Sequence, residues 1–275
     1  MTTAEHHAGP RTAGARAGQE RTGEPRTVLV TGSTSGIGAA TARVLAAQGW
    51  RVVVTGRDEV RGKSVVADLD AAAGTGGGGA VFVPSDLAAS PGELRAFARA
   101  ATDAAGGRLD ALVHNAALCP AVDTVHLDDA DLEATLAVNV RAPHVLTAAL
   151  APAMAGRGHG AIVVIGSWMA HVGHPFVGLY SATKAAEIQL ARSWAAEFGP
   201  RGVRVNTVSP GATRTPVNAA DGDVIAAMTA GTPAGRPGEP EEVAEAVAWL
   251  LSERSAYVHG AEIAVDGGIV TTRSA

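Results

Sequence analysis

Tyr180 and Lys184 stand four residues apart in Tyr180-Ser-Ala-Thr-Lys184. On a helix that spacing puts a phenol and an ammonium on one face. A free phenol titrates near pH 10, so about one in a thousand is ionised at neutrality, and a nearby cation favours the phenolate. Bringing the phenol close to neutrality asks the surroundings for about 4 kcal/mol. The pair therefore reads as a proton donor and acceptor whose affinity is set by the Lys charge, lowered toward neutrality. About a dozen residues upstream, Ser167 ends the run Ala-Ile-Val-Val-Ile-Gly-Ser167 and offers a second hydroxyl for the same reacting oxygen.

A second chemical signal lies near the start. Thr31-Gly-Ser-Thr-Ser-Gly-Ile-Gly38 follows a β-branched run and opens a segment of helical length. Gly32 permits a sharp turn, and Gly36 and Gly38 would let backbone approach a pyrophosphate that the helix N-terminus attracts. The spacing G-x-x-x-G-x-G differs from the common G-x-G-x-x-G fingerprint.

These residues need a frame to hold them. From Thr27 onward, short apolar runs alternate with Ala-rich helical segments. The runs begin at Thr27, Arg51, Ala80, Ala111, Ala161, Val203 and Glu262. Most lack period-two alternation, as expected for strands covered on both faces. The pattern predicts an α/β fold of the doubly wound Rossmann type with a seven-stranded parallel sheet, one domain over residues 27–275. Gly49 suits the C-terminal cap of the helix that starts near Ile37, and the glycine run 74–79 reads as a loop. Residues 1–26, poor in aliphatic and aromatic side chains, read as a disordered tail.

Composition narrows the function. A chain of 275 residues, 47% hydrophobic, with net charge -5, has room for a large core and lacks the basic field that holds nucleic acid or anionic membrane. A lone cysteine, Cys119, forms neither an intrachain disulfide nor a Cys-based zinc site, which fits a reducing cytoplasm. No apolar run approaches the length of a membrane span, so a small-molecule role fits best.

Taken together, the glycine turn, Ser167, Tyr180 and Lys184 make the chain from Thr27 onward resemble the short-chain dehydrogenase/reductase family, and within it the 3-oxoacyl carrier-protein reductases and related tailoring ketoreductases. Further matches come in order. Asp86, followed by Leu87, resembles the family's adenine-contacting acid. His114-Asn115-Ala116-Ala117 resembles Asn-Asn-Ala-Gly, with His114 and Ala117 departing from it. Asn139 matches the helical catalytic Asn, where the family has a local distortion admitting a water. Pro210 and Gly211, with Thr213 and Thr215, resemble the loop that holds the nicotinamide amide.

The resemblance implies a reaction in which hydride passes between a nicotinamide and a ketone or secondary alcohol. Tyr180 would donate or accept the proton, Ser167 hold the oxygen, Lys184 lower the Tyr180 pKa and grip the ribose, and Asn139 serve the proton path. At the end of the second strand, Gly56 occupies the place of an NAD-selecting acid and Arg57 follows, with Thr55 and Ser33 or Ser35 as hydroxyl donors. This predicts NADP(H) over NAD(H). Turn residues Gly32, Ser33, Ser35, Gly36, Ile37 and Gly38, with Arg57, Asp86, Leu87, Asn115, Pro210, Gly211, Thr213 and Thr215, make up the expected cofactor site. Trp168, Met169, His174 and Phe176 would line a substrate wall opposite a mobile lid within 212–235, suiting an apolar or ring-bearing ketone, free or carrier-bound. No metal is expected. Two rival readings are an NAD-linked sugar or polyol dehydrogenase and a nucleotide-sensing protein without turnover. Family practice implies a homotetramer or homodimer.

Overall fold

The computed structural model describes residues 25–73 and 78–272. The tail expected over 1–26 lies outside the described residues except for its last two, as do residues 74–77 of the glycine run. Seven strands form one sheet: β1 (Thr27–Val30), β2 (Arg51–Gly56), β3 (Ala80–Pro84), β4 (Ala111–His114), β5 (Gly160–Ile165), β6 (Val203–Pro210) and β7 (Glu262–Val265). Their order is β3-β2-β1-β4-β5-β6-β7, and every pairing is parallel. Each apolar run read from the sequence is one of these strands.

The missing alternation has its cause in the two layers that cover the sheet. Val28 and Val30 pack with Val52, Val54 and Val113 against helices α1 (Gly36–Ala47), α2 (Glu59–Ala73) and α8 (Pro240–Leu251). Leu29, Val53 and Leu112 point the other way, into α3 (Pro91–Ala104), α5 (Ala142–Arg157) and α6 (Gly178–Phe198). Each such fully buried side chain contributes about 1.5–3 kcal/mol. Local signals fix the helix ends. Ser90 and Glu93 form a capping box at the start of α3 with Pro91 in its first turn, and Gly49 follows α1 at φ 83°, a conformation open to glycine.

The strand order reverses between β1 and β4, and the crevice opens at the carboxyl ends of the strands beside this switch. The glycine turn leaves β1 there, Asn115 leaves β4, Ser167 leaves β5 and Gly211 leaves β6. Helix α4 (Asp129–Leu136) runs into a π-helical turn, Ala137–Arg141, before α5. The region expected as a lid folds as a 3-10 turn, Pro216–Asp221, and helix α7 (Gly222–Thr229). Asp221, within the segment expected as a lid, has its side chain outside the described residues.

Candidate active site

Tyr180 and Lys184 both lie in the first two turns of α6, where the lysine Nζ stands 5.8 Å from the centroid of the tyrosine ring. Ser167, at the end of β5, is buried, and its hydroxyl accepts the Met169 backbone N–H at 3.2 Å. The same hydroxyl lies near enough to the Tyr180 phenol to lower its pKa. Lys184 is 1% exposed: Nζ donates to the Ile165 carbonyl at 2.8 Å and ion-pairs with Glu187 Oε2 at 2.7 Å. The three groups therefore converge as the sequence predicts, with a fourth beside them that it did not. One expectation is corrected. Burial pushes the Tyr180 phenol above its ordinary value, and Lys184 and Ser167 pull it down by less, while Cys119 and Glu187 oppose them. The phenol is a protonated acid at neutral pH, not one lowered toward it. Glu187 escaped the sequence reading although its spacing from Lys184, i to i+3 on one helix, is an ion-pair spacing.

Asn139 lies in the π-helical turn, so the distortion its residue type suggests is present. Its side chain is fully buried and engaged at both ends. Oδ1 accepts from the Leu118 N–H at 2.8 Å, and Nδ2 donates to the Leu118 carbonyl and to Thr183 Oγ1, both at 2.9 Å. Asn139 thus ties the loop after β4 to the residue beside Lys184. Cys119, next on that loop and exposed, carries a thiol pushed up by burial of its sulfur and eased by Lys184.

The glycine turn fits a nucleotide pyrophosphate. Gly32 and Gly36 have φ of 63° and 53°, and the Ser35 side chain makes no capping bond, so the first N–H groups of α1 face the crevice uncapped. Gly38 also packs within the turn: a Cβ there would run into the Gly32 carbonyl and Asn115 Nδ2. It is small because the turn packs on itself. Asn115 Nδ2 donates to the Thr31 and Gly32 carbonyls at 2.9 and 3.0 Å and shapes the turn from β4. From the other side, Thr215 Cγ2 lies 3.4 Å from the Cβ position of Gly36, so the loop after β6 closes over the turn. Thr213 Oγ1 donates to the Gly211 carbonyl at 3.0 Å, and Asn218 braces Thr213 and Thr215. Ile37 is half-buried against the α1 and α8 layer, and Pro210 closes β6.

At the end of β2 the hydroxyl assignment changes. Ser33 is fully buried, donating to the Val30 carbonyl at 2.7 Å and accepting from the Thr55 N–H at 2.9 Å, so it holds β1 to β2 and faces no ligand. Thr55 is buried as well. The Thr34 side chain covers Gly56, with Cγ2 2.8 Å and Oγ1 3.0 Å from the Cβ position there. No carboxylate occupies position 56. Asp58 is already held by Arg61, through an ion pair of 3.1 Å and a backbone bond of 2.9 Å, so exposed Arg57 has no acid partner among the described residues. Asp86 accepts from the Ala88 N–H at 2.9 Å in an exposed turn. The Leu87 side chain belongs to the core, leaving its backbone to meet a ligand.

The wall after Ser167 is a 3-10 turn, Trp168–His171, followed by an irregular stretch. Trp168, Met169 and His174 are half-buried, and Phe176 is 54% exposed with φ 67°, the one positive φ outside glycine among the described residues. His171 turns away to Glu262 Oε1 at 2.5 Å, while His174 Nδ1 meets the Pro175 carbonyl at 2.6 Å.

Comparison with known proteins agrees with this geometry. Residues 32–270 match the family model described as Enoyl-(Acyl carrier protein) reductase. The chain is 39% identical over 245 residues to a cis-4-hydroxycyclohexanecarboxylate dehydrogenase of Sinomonas cyclohexanicum, covering 88% of this chain and 96% of that one. It is 34% identical over 247 residues to the 3-oxoacyl-(acyl-carrier-protein) reductase FabG of Escherichia coli, covering 90% and 98%. A solved gluconate 5-dehydrogenase from Burkholderia cenocepacia, in complex with NADP and tartrate, superposes with a TM-score of 0.80 at 30% identity over 90% of this chain and 96% of that one. Sheet order, crevice and sequence likeness lead to one conclusion: this chain belongs to the short-chain dehydrogenase/reductase family, as an oxidoreductase acting on alcohols or ketones with a nicotinamide cofactor.

Proposed function

We propose that the chain is an NADP(H)-dependent ketone reductase with Tyr180 as its proton donor. The observation that carries this reading is the protonated, half-buried phenol between the Ser167 hydroxyl and the Lys184 ammonium. Reduction consumes a proton, and a protonated phenol beside these two groups is placed to supply one. A nicotinamide held at the glycine turn would supply hydride chemistry at the carbonyl carbon. Ser167 donates a hydrogen bond to the carbonyl oxygen, where negative charge grows. Tyr180 passes its proton to that oxygen and is left as a phenolate, which the Lys184 charge stabilises. Lys184 would also hold the ribose of such a cofactor, and Asn139 fixes the segments on either side of it. Gly56, Thr34 and Arg57, which has no acid partner among the described residues, favour a 2'-phosphate over a 2'-hydroxyl.

Trp168, Met169, His174 and Phe176 favour a ring-bearing substrate, in keeping with the cyclic alcohol in the name of the Sinomonas relative. Replacing Tyr180 by Phe should abolish turnover and leave cofactor binding nearly intact. Loss of NADPH absorbance across cyclic ketones, sugar ketones and acyl thioesters measures it. Retention of more than about 5% of kcat, worth less than about 2 kcal/mol of barrier, sinks the assignment.

A further inference from the structure

Glu187 is a buried carboxylate that the reaction above leaves unused. It is 1% exposed, one turn beyond Lys184 on α6, and its Oε2 lies 2.7 Å from the lysine Nζ. Neither carboxylate oxygen makes a hydrogen bond of good geometry, so Oε2 meets Nζ as an ion pair and Oε1 has no partner. Such a pair is poor value for stability, because two charges leave water and part of the carboxylate is left unsatisfied. A carboxylate in that position calls for another reason.

We propose that Glu187 is a positioning residue for Lys184: it holds the ammonium charged and pinned, against the Ile165 carbonyl, in a site that would otherwise strip the charge from it. Desolvation is the largest influence on Lys184, and it acts to deprotonate. Glu187 supplies the largest opposing influence, followed by Tyr180. Cys119, from the loop after β4, acts in the same sense as these two, and His114 on β4 also faces the lysine but is itself neutral above about pH 3. Lys184 is the charged group that reaches Glu187, whose own pKa burial raises to about 7. Without Glu187, burial would prevail, and Tyr180 would lose the cation that steadies its phenolate. The inference rests on the reading of Lys184 as the partner of Tyr180. Its test, however, reads the charge of Lys184 directly.

The chain has two lysines, Lys63 and Lys184, and Lys63 is an exposed partner of Glu59. Lysine labelled with carbon-13 at Cε therefore gives two resonances, assigned by Lys63→Arg. In the wild-type protein, Lys184 should keep its ammonium signal beyond the ordinary lysine value. In Glu187→Gln, Lys184 loses its ammonium signal at lower pH than in the wild type. A Glu187→Gln protein whose Lys184 titrates as in the wild type overturns the inference. Should Glu187→Gln not fold, Glu187→Asp, which shortens the reach to Nζ, gives the same readout, and a Lys184 unchanged in that variant overturns it. Failure of Tyr180 as proton donor would appear in Tyr180→Phe turnover and leave these resonances unaffected.

Discussion

Replacing Arg57 by Ser should weaken NADPH and spare NADH. Arg57 is exposed, its neighbour Asp58 is held by Arg61, and Gly56 brings no carboxylate, so the guanidinium is available to a 2'-phosphate. A charge-assisted bond to that dianion, discounted for an exposed site, is worth roughly 1–2 kcal/mol. At about 1.4 kcal/mol per decade, NADPH should bind about 5–30-fold more weakly. NADH carries only a hydroxyl at that place, which the covering Thr34 side chain can meet as before, so its affinity should change by less than about twofold. Calorimetric titration of wild type and Arg57→Ser with both cofactors measures the two changes. Equal weakening of NADPH and NADH, or none for NADPH, refutes the assignment of Arg57 and the cofactor preference built on it.

Two further outcomes concern the frame of the site. Asn139→Ala removes three hydrogen bonds and leaves both Leu118 backbone groups without their partner. At about 1 kcal/mol each, stability falls by about 3 kcal/mol and Tm by about 6–12 °C; a drop under about 2 °C by calorimetry contradicts the geometry. His114 is fully buried beside Thr147, its pKa lowered to about 3 chiefly by burial and secondarily by Lys184. The unfolded chain takes up that proton near 6.5 and the folded chain near 3. The stability is thus complete above the unfolded value and is lost as pH falls toward 3, by up to about 1.4 kcal/mol per unit. Urea unfolding at pH 7 and 5 should show His114→Asn losing less stability than wild type; identical losses would place His114 in contact with water.

Strands and glycine turn were legible because each rests on a local rule: β-branched runs without alternation, and glycines at the exit of β1. Tyr180, Lys184 and Ser167 were legible as types and spacings. Their energetics were not, since the pKa of Tyr180 is set first by burial and then by Lys184, and both follow from how α6 packs on β5. The Ser33 error has a similar origin. A serine in the turn offers a hydroxyl in any reading, and only the distance between β1 and β2 reveals that Val30 and Thr55 consume it. Thr34, one residue on, faces the space that glycine leaves at position 56. Position 38 reads as a ligand contact because glycine there suits close approach; the structure adds an approach to the chain's own Gly32.

The clasp of Asn139 on Leu118 also makes one proton a gauge of the site. The Leu118 amide belongs to no strand ladder and is held by a side chain 21 residues away. Its exchange with deuterated solvent requires that clasp to open, while amides of β4 and β5 wait for the sheet itself to part. The gap between the two rates measures, in the resting protein, how often the loop beside Lys184 lifts without the rest of the fold following.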